Sequence, residues 1–246
     1  MRHLSRHTLA RAAAVGGIMA LAVGFAPAAG ASPAAQTSVP CSTTALANAI
    51  AGAASGDTLV LTSGCTYQVS DPLPGIAANL TIDGREATLD GDGPESVGYS
   101  LLDVAAGVTL HVRNLNFTCG GDYTGQCGHA IGNSGNVTID GGTFYHLGPI
   151  FNEYGLTDGG AIGNGGQATL RQDTLSGNST FFAFTAGGAI YNTAALTVTS
   201  TAITGNTAAA GSPGGIDNEG GAVSPHHDRI RSSTPFNCSN VPGCTD

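Results

Sequence analysis

Gly187-Gly188-Ala189-Ile190-Tyr191-Asn192-Thr193-Ala194-Ala195-Leu196-Thr197-Val198-Thr199-Ser200-Thr201-Ala202-Ile203 is the stretch that decides the fold. It opens on a glycine pair, passes through Ile190 to Asn192, and then alternates apolar and polar residues, as a half-buried strand does. The opening returns as Gly159-Gly160-Ala161-Ile162-Gly163-Asn164, as Gly128-His129-Ala130-Ile131-Gly132-Asn133, and in variant form as Pro213-Gly214-Gly215-Ile216-Asp217-Asn218. The isoleucines are 31, 28 and 26 residues apart. A unit this short cannot bury an apolar face alone, so copies of it must stack.

The alternating segments give a second register, Ile82, Val112, Ile139, Leu170 and Val198, spaced 30, 27, 31 and 28 residues. Five residues beyond each stands Ala87, Phe117, Phe144, Leu175 or Ile203. Short strands at such a period, separated by Gly/Asn turns, read as the coils of a parallel β-helix. The series Asn133, Asn164, Asn192 and Asn218 reads as a ladder of turn residues, since Asn tolerates left-handed backbone and its amides stack from coil to coil; a polar binding row is the alternative. After the apolar register come Asp83, Arg113, Asp140, Arg171 and Thr199. With coils about 4.8 Å apart, these form an outward column of alternating charge, a structural role for Arg113 and Arg171.

The ends depart from the pattern. Cys41 to Gly56 holds Thr43-Thr44 followed by Leu46, Ala49, Ile50 and Ala53, a short capped amphipathic helix. It is expected to close the N-terminal end of the apolar column, with the first strand at Thr58 to Thr62. At the other end Pro225, His226 and His227 occupy a strand position, which predicts a frayed last coil.

Composition narrows the classes further. The chain of 246 residues has 38 Gly, 11 Pro and no Trp, and its eight basic residues are all Arg. A formal charge of −9 without lysine argues against nucleic-acid binding, which needs clustered cations. Met1 to Ala31 has the pattern of an export signal: Arg2, Arg6 and Arg11, then an apolar run, then Ala29-Gly30-Ala31. The expected division is a signal at 1–31 and one domain at 32–246, with caps at 32–66 and 222–246. No later segment reads as a membrane span, and an extracellular monomer is expected. The six cysteines, Cys41, Cys65, Cys119, Cys127, Cys238 and Cys244, read as disulfides in an exported chain. Locality suggests three sequential pairs; the alternative at the C-terminus is a zinc site using Cys238, Cys244, His226 and His227.

The GGAIGN, GGAIYN and LTVTSTAITGNTA segments resemble repeats of actinobacterial secreted right-handed parallel β-helix proteins, similar to the polymorphic outer-membrane protein repeats. The runs Cys41 to Tyr67 and Asn237 to Cys244 are similar to the caps of that group. The resemblance implies an all-β, right-handed solenoid, here of about six coils, and export; it implies no particular reaction. The same fold resembles polysaccharide lyases and pectin-cleaving hydrolases, but their Arg-x-Pro-x-x-Arg, Asp-Asp and Gly-His-Gly patterns are missing from this sequence.

Chemistry is sought instead in the loops before each glycine pair. Asp122, Tyr123, Glu153, Tyr154 and Asp158, with Phe181, Phe182 and Phe184, set aromatics beside carboxylates, which suits sugar stacking and hydroxyl binding. Asp90, Asp92 and Glu95 resemble part of a calcium loop, with Pro94 where a third ligand would stand. His129 and His146 are candidate acid/base groups. The expectation is a non-catalytic surface or glycan-binding protein without a required cofactor. The alternative is a polysaccharide lyase or glycoside hydrolase. An enzyme should bring two carboxylates, or a carboxylate and a histidine, together in a groove; a purely structural envelope component should show no groove.

Overall fold

The computed structural model describes residues 34–91, 99–119, 129–148, 160–180 and 187–246. Those residues form an all-β parallel solenoid with one short helix. Each regular turn runs through three strands. In one turn these are Ile131–Asn133, Asn136–Asp140 and Thr143–Tyr145; in the next, Ile162–Asn164, Gln167–Arg171 and Thr174–Ser176. The middle and last strands stack into a 13-stranded sheet, and the first strands into a six-stranded sheet running from Leu102–Val104 to Cys238–Ser239. The turns that carry the full motif number about four, fewer than the six expected.

The apolar register holds. Ile82 pairs with Val112, Val112 with Ile139, Ile139 with Leu170, and Leu170 with Val198. On the six-stranded sheet Ile131, Ile162, Ile190 and Ile216 stack in register, and all four are fully buried. Phe117 and Phe144 stack with centroids 4.7 Å apart. Each such side chain contributes about 1.5–3 kcal/mol by leaving water, and stacking makes one continuous apolar column of them. The second register is corrected at its start: Leu89, not Ala87, faces Phe117. Strand Leu80–Asp90 is irregular between Asp83 and Ala87, where Arg85 and Glu86 both take positive φ and lengthen the corner.

The asparagine series is a turn ladder. Asn133, Asn164, Asn192 and Asn218 are buried, and each of the first three amides donates to the next side-chain oxygen, at 2.7, 2.6 and 2.7 Å. A second ladder runs through Asn178 and Asn206. Asn178 donates to Asn206 Oδ1 at 2.9 Å and to Phe144 O, while Asn206 donates to Leu175 O. Its signal was present in Gly177-Asn178 and Gly205-Asn206. The motif glycines pack backbone against backbone: a Cβ on Gly188 would collide with Gly214 O and Thr207 O. The outward column keeps its register, and within it Arg171 lies 3.7 Å from Asp140. Asp83 pairs with Arg85 instead of Arg113.

The helix spans Thr43–Gly52, and Ser42, not a threonine, is its N-cap, accepting from Ala45 N. Its Leu46 and Ile50 join the core. An extra strand, Gln36–Val39, pairs with Asp57–Leu61. At the far end the last coil is ordered: Ala222–His226 is a strand, and Pro225 sits opposite Val198. Proline is tolerated because no further strand follows Ala222–His226 in this sheet's order, so its missing N–H costs no ladder bond. Cys41 is bonded to Cys65 and Cys238 to Cys244. Cys119 is disulfide-bonded too; Cys127, its expected partner, lies outside the described residues. The Cys238–Cys244 bond overturns the zinc alternative, since neither sulfur remains a thiolate ligand. Among the described residues no helix is long and apolar enough to cross a membrane.

Candidate functional site

The six-stranded sheet has one outward column. From turn to turn it reads Asp103, Gly132, Gly163, Tyr191, Asp217 and Ser239. The two glycines leave two successive rungs without a side chain, so the face is recessed there by roughly 10 Å of sheet. The recess is an open groove of about 540 Å³, lined by Tyr99, Ser100, Asp103, His129, Ser134 and the two glycines, among others.

The side chains are placed by the turn that precedes Leu102–Val104. Leu101 N donates to His129 O, which sets Ser100 beside His129 on adjacent rungs. Asp103 Oδ1 and Ser100 Oγ lie 2.5 and 2.8 Å from the point a Cβ would take on Gly132. Both oxygens therefore lean over the glycine floor. Asp103 is exposed and His129 is buried in the wall, 5% exposed. Tyr99 closes the rim; its hydroxyl donates to Val69 O at 3.0 Å. Burial, with Asp71 nearby, raises the Tyr99 pKa, so it stays a neutral hydroxyl.

The column ends in a second acidic feature. Tyr191 donates to Glu219 Oε2 at 3.1 Å, and Asp217, 5% exposed, follows Tyr191 on the next rung. Burial first, and then the Glu219 charge, push Asp217 up to about 6.

Of the residues singled out from sequence, the structure brings His129 into this groove. It puts His146 on another face, in ring contact with Tyr145. Asp122, Tyr123, Glu153, Tyr154, Asp158, Phe181, Phe182 and Phe184 lie outside the described residues, as do Asp92 and Glu95. Asp90 is engaged across the coils, accepting from Gln68 Nε2 at 3.0 Å. Among the described residues no three His, Cys, Asp or Glu side chains stand together as a metal site. Tyr99, Ser100 and Asp103 were not anticipated; the aligned column Asp103-Gly132-Gly163 was the available signal.

No family model matches the chain, and no curated protein does. Among solved structures it is similar to a PL6 family alginate lyase, AlyGC, at 15% identity and a TM-score of 0.39. The likeness covers 84% of this chain and 39% of that one, so the chain spans well under half of the lyase's length.

Proposed function

We propose that the protein is an extracellular glycan-binding solenoid, wound right-handed, with its helix closing the N-terminal end and the glycine-floored groove as its binding site. The observation that carries this is the two-rung recess at Gly132 and Gly163, rimmed by hydroxyl, carboxylate and imidazole groups. Its volume suits a short saccharide segment. Alternating donors and acceptors suit a hydroxyl-rich ligand. A net charge of −9, with Asp103 at the rim, disfavours phosphates and nucleic acid. A purely structural envelope component would have no reason for the groove. The disulfides and the export-signal pattern at 1–31 support an extracellular address. Calcium binding at Asp90, Asp92 and Glu95 and saccharide contacts from Asp122, Tyr123, Glu153, Tyr154 and Asp158 remain part of the proposal.

One observation favours a second reading, cleavage of the bound chain by a lyase or hydrolase. Asp103 and His129 both line the groove, a carboxylate and an imidazole of the kind general acid/base catalysis uses.

The disulfide-bonded protein is incubated with plant, algal and bacterial polysaccharides, with and without calcium. Retention on a polymer without product release supports binding. Unsaturated ends, read by absorbance, support a lyase; new reducing ends without unsaturation support a hydrolase. Neither retention nor release on any polymer overturns both. Asp103→Ala should weaken retention about tenfold, the equivalent of one charge-assisted hydrogen bond. Gly132→Val should abolish it by filling the floor, while melting stays cooperative.

A further inference from the structure

The last strand of each turn presents a different surface. Its outward column runs Gln68, Asp90, Thr118, Tyr145, Ser176, Thr204 and Arg231. Between Asp90 at one end and Arg231 at the other, this column carries hydroxyls and one aromatic ring, without a charge. In the column beside it Thr143 and Thr174 stand in register, two residues before Tyr145 and Ser176.

Tyr145 is 45% exposed, the one exposed large hydrophobic side chain among the described residues. A single exposed tyrosine is ordinary on a protein surface. This one is held in place. Its ring stacks on His146, with centroids 3.6 Å apart and planes 27° apart. His146 takes φ 52, at the corner where Gly177 and Gly205 take φ 65 and 64 in the next two turns. A histidine in left-handed backbone costs on the order of 1 kcal/mol more than glycine there. Both rings lie over Gly177, where a Cβ would meet them at 3.2 and 3.3 Å. The neighbouring turn thus leaves the space the ring pair occupies.

We infer that this face is a second carbohydrate-contact surface, which takes a neutral, extended polysaccharide chain lying along the solenoid with one sugar ring stacked on Tyr145. Hydroxyls recur on each side of the ring at about 4.8 Å per turn, matching a ligand that is itself a row of hydroxyls. The uncharged stretch selects a neutral chain over an acidic one. A protein partner would need an apolar centre, and one ring does not supply it. A nucleic acid would need cations along the stretch. The inference rests on the reading that the ligand is a polysaccharide, but on a site independent of the groove.

The test uses the full disulfide-bonded protein on cellulose and chitin as neutral polymers and on pectate and alginate as acidic ones. Retention is expected on a neutral polymer. Tyr145→Ala should weaken it about tenfold, and Tyr145→Phe, which keeps the ring, should stay within about twofold of the original protein. Asp103→Ala is run on the same polymers, so that loss through the groove is read apart from loss through the ring. Tyr145→Phe should melt at the original temperature, and Tyr145→Ala, which loses only the stack on His146, should melt cooperatively within a few degrees of it. No retention on either neutral polymer, or equal retention of Tyr145→Ala, overturns the inference. If Asp103→Ala alone abolishes retention, the groove stands and this surface falls. If Tyr145→Ala alone does so, the reverse holds.

Discussion

Asn164→Ala should destabilise the folded protein by about 3–5 kcal/mol, the largest loss expected from a single substitution that leaves the apolar column intact. Asn164 is 1% exposed. Its Nδ2 donates to Asn192 Oδ1 at 2.6 Å and to Ala195 O at 3.0 Å. Its Oδ1 accepts from Asn133 Nδ2 at 2.7 Å and from Gly166 N. Truncation leaves Ala195 O and Gly166 N without these partners and cuts the ladder between Asn133 and Asn192. Each buried polar group left unsatisfied costs about 1–3 kcal/mol. Because a solenoid holds together turn by turn, a cut in the middle weakens the turns on both sides. Asn164→Asp should be at least as harmful at neutral pH, since a carboxylate oxygen would then face Asn192 Oδ1 with no proton between them. Acid should relieve part of that loss. Urea unfolding with the disulfides intact measures both, with Thr169→Ala on the solvent face as a control expected within about 0.5 kcal/mol. An Asn164→Ala protein as stable as that control would show that the ladder does not hold the turns together.

The ladder was legible because it repeats on one period with the buried isoleucines. The same holds for the register from Ile82 to Val198: one apolar residue per turn, fully inside, tolerates little variation. What escaped has physical reasons. Gln36–Val39 has three exposed residues out of four, so no alternation marks it as a strand. The pairing of Leu89 was missed because the corner at Arg85 and Glu86 is longer than the later ones, and spacing from an anchor cannot see an inserted corner. The groove was hidden more deeply. Its defining feature is side chains that are missing, at Gly132 and Gly163, and its walls come from separate turns. A carboxylate and a histidine 26 residues apart, Asp103 and His129, gain meaning only once the turns are stacked in register. The register that sets Asp103 beside the two glycines is a property of the stacked turns, which share one outward position per rung.

A buried acid at a corner gives the second large effect, and it depends on pH. Asp173 is 2% exposed. Its Oδ1 accepts from Gly142 N at 2.6 Å, and its own N–H donates to Thr201 Oγ1. Oδ2 is buried without a partner. Burial pushes its pKa up to about 8, with a smaller push from Asp140, against the pull of the backbone hydrogen bonds. An unfolded aspartate titrates near ~3.9. The folded chain therefore holds this proton more tightly than the unfolded chain does. Its contribution to stability is full below about pH 4 and is lost progressively as pH rises toward about 8, beyond which the loss is constant. Asp173→Asn keeps the acceptor for Gly142 N and cannot ionise. It should match the original protein at pH 4 and exceed it by about 2–4 kcal/mol at pH 8.5, which discounts the full 1.36 kcal/mol per pKa unit for relaxation around the charge. Asp217, also raised, titrates in both proteins and cancels from the difference. Asp173→Thr, which copies Thr201 from the following turn, should show the same pH trend with a smaller gain. Urea unfolding at the two pH values decides. A variant equally weaker at both would mean that the carboxylate is needed for its shape and that its charge carries no penalty. A gain that grows with pH would identify Asp173 as a neutral acid held inside a corner that the neighbouring turn builds with a hydroxyl.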